Sequence, residues 1–272
     1  SKKASNTIYN LSKILTFGMS DRTKLKTHSR LVSLFKSHHT IKTSKGKILF
    51  RIDSPGSVPQ DPESNRSEPE TFEWIDTYLK PNQVLWDIGA NIGVFSLFAA
   101  LEGNNQVISL EPSAESFATL NANIRLNKLD KQISAFCFAG ASSTQMMKLF
   151  MKDASSGASH NSIKNAENQF GDFDVNGEQA IIAISLDDLN KLFKLPMPNH
   201  IKLDVDGKEP EILEGATETL KKIETIHIEV EGKNLTENIS IIESCLSDAG
   251  LIEDKAWRNK GSRRNRLFKR AL

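Results

Sequence analysis

The feature that most constrains the fold is an alternation of short apolar segments with helical patterns, which begins after Pro81. The predicted elements are strands at 84–87, 107–110, 133–139, 200–204 and 225–230, and helices at 94–101, 113–127, 210–220 and 239–249. Short apolar strands separated by helices indicate a parallel sheet covered on both faces. In such folds ligands bind at the carboxyl ends of the strands.

The chain before this alternation has a different pattern. Residues 7–38 have apolar side chains at helical spacing, and residues 41–52 are typical of a β-hairpin around 44–46. Residues 53–70 are rich in Pro, Ser and acidic residues, which is typical of a linker. We therefore predict an N-terminal helical and hairpin extension over 1–66, followed by the α/β domain over 67–272.

The charge of the chain lies unevenly along it, although the formal net charge is only +1. Residues 1–39 hold eight Lys or Arg and one acidic residue, and residues 258–270 hold seven and none. Basic ends of this kind can meet phosphate groups or an anionic membrane surface, or can be solvated. Because no apolar stretch is long enough to span a membrane and no signal peptide is visible, we expect a cytoplasmic protein, with peripheral membrane contact as an alternative.

A glycine-containing loop follows the first strand of the alternation, in the order Asp87-x-Gly89-x-Asn91-x-Gly93. Strand, glycine loop and helix together form the usual cradle for a nucleotide cofactor, and Glu111 at the end of the next strand can bind ribose hydroxyls. A carboxylate at Asp87 would repel a pyrophosphate, whereas it suits the cationic S-adenosylmethionine. The loop therefore predicts S-adenosylmethionine rather than NAD, with an N-cap and two packing glycines as the structural alternative.

Five segments in this order carry a family resemblance: "VLWDIGANIGVFS", "ISLEPSAESFATLNANIRLN", "SLDDL", "HIKLDVDGKEPEILEGA" and "IHIEVEG". Over about residues 68–270 the chain resembles the FkbM family of S-adenosylmethionine-dependent methyltransferases. The resemblance implies a class I methyltransferase fold, a seven-stranded and mostly parallel sheet with helices on both faces. "RNRLFKR" would be its antiparallel closing strand. The residues implied to bind the cofactor are Asp87, Gly89, Ala90, Asn91, Gly93, Ser96, Glu111 and Pro112.

The chain departs from the family pattern at two places. Asp206 stands where the family has Glu, so the charge is kept but its reach is shorter. Residues 139–144 offer no acidic side chain for an adenine amino group, so the hydroxyl of Ser142 or Ser143, or the backbone, would have to serve. We carry Ser142 forward as a candidate cofactor ligand.

Charged residues cluster at the carboxyl ends of two later strands, where a reacting methyl group is expected. Asp204 is the first candidate to orient or deprotonate an acceptor, and Lys202 could stabilise the developing charge or fix Asp204. Glu229 and Glu209 are supporting candidates for catalysis. The structural alternative is a buried ion pair, or helix-start acids in the case of Asp206 and Glu209.

Two further alternatives concern the chemistry of this cluster. His160 lies in a polar stretch at 152–177 that is long enough to form a lid, and it could act as the base. Asp204, Asp206 and Glu229 could hold Mg²⁺, but they have no distinctive ligand spacing, and we predict no metal site.

The acceptor that the resemblance implies is a hydroxyl of a sugar, a glycolipid or a polyketide-like molecule. The alternatives are an RNA or protein methyltransferase, or a binding module that has lost its chemistry. The chain has no N-P-P-Y-type amine site after the fourth strand and no cluster of aromatic residues for bases. A nucleic acid partner is therefore not expected, and the oligomeric state is left open.

Overall fold

A computed structural model describes most of the 272-residue chain. The described residues are 2–34, 37–59, 68–159, 161–163, 166–168, 170–232 and 235–271. They form two compact units, Ser1–His38 and His39–Leu272. Within them no helix is both long enough and apolar enough to cross a membrane.

The described residues contain nine α-helices, one 3₁₀-helix and fifteen strands. The helices are α1 (Lys2–Leu15), α2 (Asp21–Leu34), α3 (Pro69–Tyr78), α4 (Val94–Ala100), α5 (Ala114–Leu126), α6 (Leu186–Phe193), α7 (Glu209–Glu214), α8 (Thr217–Leu220) and α9 (Leu235–Asp248), with the 3₁₀-helix at Lys255–Asn259. The strands are β1 (Ser37–Thr43), β2 (Gly46–Ile52), β3 (Val84–Ile88), β4 (Gln106–Leu110), β5 (Ile133–Phe136), β6 (Phe138–Gly140), β7 (Gln145–Met151), β8 (Ser162–Ile163), β9 (Glu167–Asn168), β10 (Gly171–Asp172), β11 (Gly177–Ile184), β12 (His200–Leu203), β13 (Thr225–Glu229), β14 (Leu251–Glu253) and β15 (Asn265–Arg270).

The N-terminal unit is a pair of helices, α1 and α2. Thr16, just after α1, lies 3.5 Å from the ring of His28 in α2. The helical prediction for 7–38 is correct within α1 and α2 but wrong at its end, because β1 begins at Ser37. The β-branched and polar residues of β1 pair with β2, so they form a strand where the sequence pattern predicted the end of a helix.

The predicted hairpin is confirmed as β1 and β2, and it packs with the α/β unit. Asn127, which caps α5, accepts a hydrogen bond from the amide of Leu49 and donates one to its carbonyl (2.9 and 2.7 Å). Asn123 accepts from the amide of Arg51 at 2.8 Å. The predicted domain boundary at 66–67 involves residues outside the described part of the chain, and the division into domains stays a prediction.

Seven strands form the main sheet, in the order β14-β15-β13-β12-β3-β4-β5. β15 runs antiparallel to both β13 and β14, and the other described pairings in this sheet are parallel. The predicted fold class is therefore confirmed, including "RNRLFKR" as an antiparallel strand. The strand order reverses at β3, which has the early strands on one side and the late strands on the other, so β3 marks the switch point where ligands bind.

The hydrophobic core has two halves, one on each face of this sheet. Trp86 and Ile88 of β3 contribute to one half, and Leu85 packs in the other with Leu97 and Phe98 of α4. Alternate side chains of a strand point to opposite faces. Asp87 therefore shares the face of Leu85, the face that α4 covers.

A second, four-stranded sheet with the order β6-β11-β7-β8 was not predicted from the sequence. The single strand predicted at 133–139 is wrong, because the chain leaves the main sheet after Phe136. β6 pairs in parallel with β11 in the other sheet. The apolar run "ISAFCFAG" has strand character throughout, so nothing in its local pattern indicates that the pairing partner changes.

Candidate active site

The loop between β3 and α4 depends on two glycines in the left-handed region. Gly89 has a φ of 84°, and a Cβ there would lie 1.8 Å from the carbonyl oxygen of Asp204. Gly93 has a φ of 92°, and a Cβ there would lie 2.4 Å from the side chain of Leu120. Only glycine fits either position without a shift of the neighbour. Gly89 allows the end of β3 to approach the end of β12, whereas Gly93 allows α4 to pack against α5.

Glu111 joins this loop to the end of β4. One of its oxygens accepts a hydrogen bond from the amide of Asn91 and the other from the amide of Ser113, both at 2.8 Å. Burial raises the pKa of Glu111 to about 7, against the opposing effect of these two amides. The side-chain oxygen of Asn91 is buried without a hydrogen-bond partner.

A cavity of about 160 Å³ opens beside this loop at the carboxyl ends of β3, β4 and β12. Its wall combines apolar side chains with a few polar groups, as small-molecule sites do. The lining includes Gly89, Asn91, Leu110, Glu111, Pro112, Phe138, Ala158, Ser159, Asn161, Asp204 and Asp206. We call it the loop cavity.

A second cavity, of about 300 Å³, adjoins the first. Both cavities are lined by Gly89, Asn91, Ser159, Asp204 and Asp206. The remaining wall of the second cavity includes Glu68, Phe72, Ala90, Phe95, Lys202, Glu229, Glu231 and Arg264. We call it the charged cavity.

Asp204, which lines both cavities, forms an ion pair with Lys202 of the charged cavity. The Lys202 ammonium lies 2.9 Å from Oδ2 of Asp204 and 5.1 Å from the centre of the Phe95 ring. Burial would raise the pKa of Asp204, but the Lys202 ammonium and a hydrogen bond from Glu229 bring it below its ordinary value. Asp204, whose side chain is about a quarter exposed, is therefore ionised at neutral pH.

Glu229 is adjacent to Asp204 and has the reverse protonation behaviour. It is almost fully buried, and burial together with the nearby Asp204 and Glu231 carboxylates raises its pKa far above the usual range. Arg264 opposes this shift from 3.2 Å. A protonated Glu229 can donate a hydrogen bond to the Asp204 carboxylate.

Arg264 links the carboxylates of the charged cavity. It lies 2.9 Å from Glu68, 3.2 Å from Glu229 and 3.7 Å from Glu231. Oxygens of Glu68, Asp204 and Glu229 lie within 4.8 Å of one another, a spacing that a cation could bridge. In the described structure this cluster is balanced by the guanidinium of Arg264 and the ammonium of Lys202.

Asp87 does not line either cavity, which corrects the expectation that it faces a cofactor directly. It is fully buried under α4, where Ser96 donates a hydrogen bond to Oδ2 at 2.5 Å. Its Oδ1 lies 3.8 Å from the Lys202 ammonium. Burial raises the pKa of Asp87 despite Lys202 and Ser96. Asp87 thus holds Lys202 in position from the buried side, and Ser96 holds Asp87 in position.

Four other predicted residues also lie outside the cavity walls: Gly93 and Ser96, whose packing and hydrogen-bonding roles are described above, and Glu209 and Ser142. Glu209 is buried at the start of α7 and accepts hydrogen bonds from the amides of Val205 and Gly207 (2.9 and 3.3 Å), so it holds the turn after Asp204. Burial raises its pKa to about 7. Ser142 is exposed, because the chain has by then entered the second sheet, and the wall there is formed by Phe138, Ala139 and Gly140.

The polar stretch 152–177 contributes a wall of both cavities where the structure describes it. Gly157 and Ser159 line the charged cavity, and the Gly157 carbonyl accepts a hydrogen bond from the Asn91 side chain at 3.4 Å. Ser116 of α5 accepts from the Gly157 amide at 3.0 Å. The candidate base His160 lies outside the described residues.

Glu68 and Arg264 were missed as site residues because they lie in segments that look like a linker and a strand start. Topology alone could have indicated Arg264. It directly precedes β15, and the first residue of an antiparallel strand lies at the edge where its parallel neighbours end. Glu68, just before α3, carries no comparable signal.

Comparisons with known proteins identify what the chain is similar to. Residues 87–251 match the model of the methyltransferase FkbM domain, which is more than half of the chain. Hexuronic acid methyltransferase AglP of Haloferax volcanii is 28% identical over 179 residues, 64% of this chain and 69% of that protein. The 31-O-demethyl-FK506 methyltransferase FkbM of Streptomyces tacrolimicus is 48% identical over 46 residues, 16% of this chain and 18% of that protein.

Solved methyltransferase structures also resemble the chain. The methyltransferase FkbM of Methylobacillus flagellatus matches with a TM-score of 0.45 and 17% identity over 69% of this chain, but only 43% of that one. The TYW2 protein of M. jannaschii, in complex with AdoMet, matches with a TM-score of 0.44 and 16% identity over 87% and 88% of the two chains. The matched part thus spans less than half of the Methylobacillus protein and about a fifth of the Streptomyces one.

Proposed function

The chain belongs to the FkbM family of S-adenosylmethionine-dependent methyltransferases, and we propose that it transfers the methyl group to a hydroxyl of a sugar or a sugar-containing small molecule. The observation that carries the proposal is the pair of adjoining cavities. The loop cavity has the lining of a cofactor site, and the charged cavity has that of an acceptor site. Asp204 lines both cavities, and Lys202, which lines the charged cavity, is paired with it.

The residues of the loop cavity fit S-adenosylmethionine. Gly89 lets the loop pack directly against the Asp204 backbone at the cavity wall, and Asn91 offers a buried side-chain oxygen that lacks a partner. Glu111 would bind the ribose hydroxyls, with Pro112 and Phe138 against the adenine. When bound, S-adenosylmethionine supplies a methyl group on a cationic sulfur, open to displacement by an acceptor oxygen.

Asp204 is the group that would receive the acceptor proton. Its carboxylate is ionised because Lys202 and Glu229 lower its pKa, which also makes it a weak base. A weak base suffices, because a hydroxyl oxygen becomes strongly acidic as its bond to the methyl group forms. The acceptor loses a proton to Asp204, gains a methyl group and stays neutral. Lys202 holds Asp204 in position from 2.9 Å.

The composition of the charged cavity supports a polyhydroxylated acceptor. Carboxylates accept hydrogen bonds from vicinal hydroxyls, and the cavity offers those of Glu68, Asp204, Asp206 and Glu231. Phe72 and Phe95 add an apolar part to the same wall, with ring centres 5.1 Å apart. The name of AglP, a hexuronic acid methyltransferase, supports the sugar class.

The test is methyl transfer from isotopically labelled S-adenosylmethionine to a library of mono- and disaccharides, nucleotide sugars and lipid-linked sugars. We expect labelled methyl ethers, which survive mild base, whereas methyl esters of uronic acids would be cleaved. Transfer only to RNA or protein would contradict the proposal. Binding of the cofactor by calorimetry, weakened in Glu111→Ala, tests the assignment of the loop cavity, and turnover separates an active enzyme from a binding module. Absence of binding in the unaltered chain would end the enzyme interpretation.

A further inference from the structure

Helix α1 presents a continuous apolar stripe to solvent. Ile8, Leu11, Ile14 and Leu15 fall within about a third of the helix circumference, because successive residues are about 100° apart. Their exposed fractions are 51%, 52%, 69% and 72%, and Phe17 just after the helix is 90% exposed. Large apolar side chains arranged in one exposed stripe mark a surface that binds something.

The opposite face of α1 is mostly polar and includes the ring of Tyr9. Asn6, Asn10 and Lys13 lie there at helical spacing, and the Lys13 ammonium sits 4.4 Å from the centre of the Tyr9 ring. The helix therefore has the two faces of an interfacial helix, one that can enter an apolar phase and one that stays in water. At 14 residues with polar side chains all along one face, it is suited to lie along a surface.

The charge of the N-terminal unit indicates which surface. Residues 1–38 contain eight Lys or Arg and a single acidic residue, Asp21. Arg22, Lys26 and Arg30 of α2 are exposed. An exposed apolar stripe combined with such an excess of positive charge complements an anionic bilayer, where acyl chains receive the stripe and lipid headgroups neutralise the cations.

We propose that the N-terminal unit binds the surface of anionic membranes, with the apolar stripe of α1 inserted at the level of the headgroups. This binding is independent of the methyl transfer proposed above. Each part contributes too little alone, since a short apolar stripe or a handful of cations gives only weak adsorption, whereas the two together reinforce each other.

The test is flotation of the full chain with vesicles of phosphatidylcholine alone and with phosphatidylglycerol added. We expect binding to the anionic vesicles that is at least about tenfold stronger than to the neutral ones and that weakens with salt. The variant Leu11→Asp/Leu15→Asp should lose about tenfold or more of this binding. Its matched control, Asn6→Asp/Asn10→Asp, adds the same charge on the polar face and should lose much less.

Circular dichroism and cofactor binding by both variants report whether they are folded. Equal losses in the two variants would show that charge alone acts and would overturn the role of the stripe. Absence of vesicle binding by the unaltered chain would overturn the proposal altogether. Concentration-dependent dimers that Leu11→Asp/Leu15→Asp abolishes, without vesicle binding, would instead assign the stripe to a second copy of the chain.

Discussion

At the scale of single residues, the site depends on which carboxyl groups are ionised and which are not. Asp204 stays charged beside Lys202, whereas burial makes Glu229 a proton donor to it. The sequence could identify both residues because they lie at strand ends. It could not indicate their protonation states, because these depend on Arg264, which comes from another element. It also could not indicate that Asp87 acts through Lys202, because Ser96 holds Asp87 from a different element.

Asp204→Asn removes the proposed proton acceptor while keeping the shape of the side chain. We expect kcat to fall by about a hundredfold or more, the usual contribution of a positioned acid–base group. The dissociation constant for S-adenosylmethionine should change by no more than about fivefold, since the Gly89 cradle and Glu111 remain. Steady-state kinetics and calorimetry measure the two effects. The exposed Asp130→Asn is the control, and equal loss of turnover and cofactor affinity in Asp204→Asn would place Asp204 in the cofactor site instead.

Glu209 makes a prediction about pH and stability. Burial raises its pKa from 4.5 to about 7 in the folded chain, so the folded state holds this proton more tightly than the unfolded state does. The contribution of the Glu209 proton to the free energy of unfolding is fully present below about pH 4.5. It is lost as the pH rises towards about 7, by roughly 3 kcal/mol at most. Glu209→Gln keeps the acceptor for the two amides and cannot ionise. Thermal unfolding of this variant should therefore depend less on pH over this range than unfolding of the unaltered chain, and identical profiles would contradict the assignment.

At the scale of elements, the alternation of strands and helices predicts the main sheet well because each strand is a short apolar run with its own flanking signals. The second sheet has no such signals in the sequence. β7 and β11 alternate exposed and buried side chains, but their sequences also place apolar residues on the exposed face, such as Met146 and Ile182, and β6 continues an apolar run that begins in β5. Which sheet such a segment joins is decided by long-range pairing, which no local pattern records.

The contact between the loop after β3 and the end of β12 is testable at Gly89. In Gly89→Ala the new Cβ would meet the backbone carbonyl of Asp204, and backbone cannot move aside as a side chain can. We expect at least a tenfold weaker affinity for S-adenosylmethionine and a loss of about 3 kcal/mol or more of unfolding free energy. Gly18→Ala is the matched control, because Gly18 has a φ of 83° with no atom within 4 Å of the added Cβ, so it bears only the backbone strain, about 1 kcal/mol. Similar losses in the two variants would mean that strain rather than the contact is responsible.

At the scale of the whole molecule, the near-zero net charge conceals a strong separation of charge. The N-terminal unit is basic, whereas the charged cavity is lined by Glu68, Asp204, Asp206, Glu229 and Glu231 against Lys202 and Arg264. Even with Glu229 protonated, carboxylates outnumber cations in this wall. Composition could not indicate this, because the excess arises only when Glu68 and the ends of β12 and β13 meet.

This excess predicts how the enzyme would discriminate among the proposed sugar acceptors. A uronate acceptor would bring a further negative charge into the cavity, whereas the corresponding neutral hexose would bring none. Repulsion should therefore raise KM for the uronate by about tenfold or more.

The measurement compares KM for two acceptors that differ only in a carboxylate or a hydroxymethyl group. Glu68→Gln/Glu231→Gln removes two acidic groups but keeps hydrogen-bonding side chains, and it should narrow the ratio of the two KM values. Added salt should also narrow this ratio of KM values, but to a smaller degree, because the cavity is partly enclosed. A lower KM for the uronate in the unaltered chain would mean that Arg264 releases its glutamates to bind the acceptor carboxylate, and the double variant would then tighten uronate binding further.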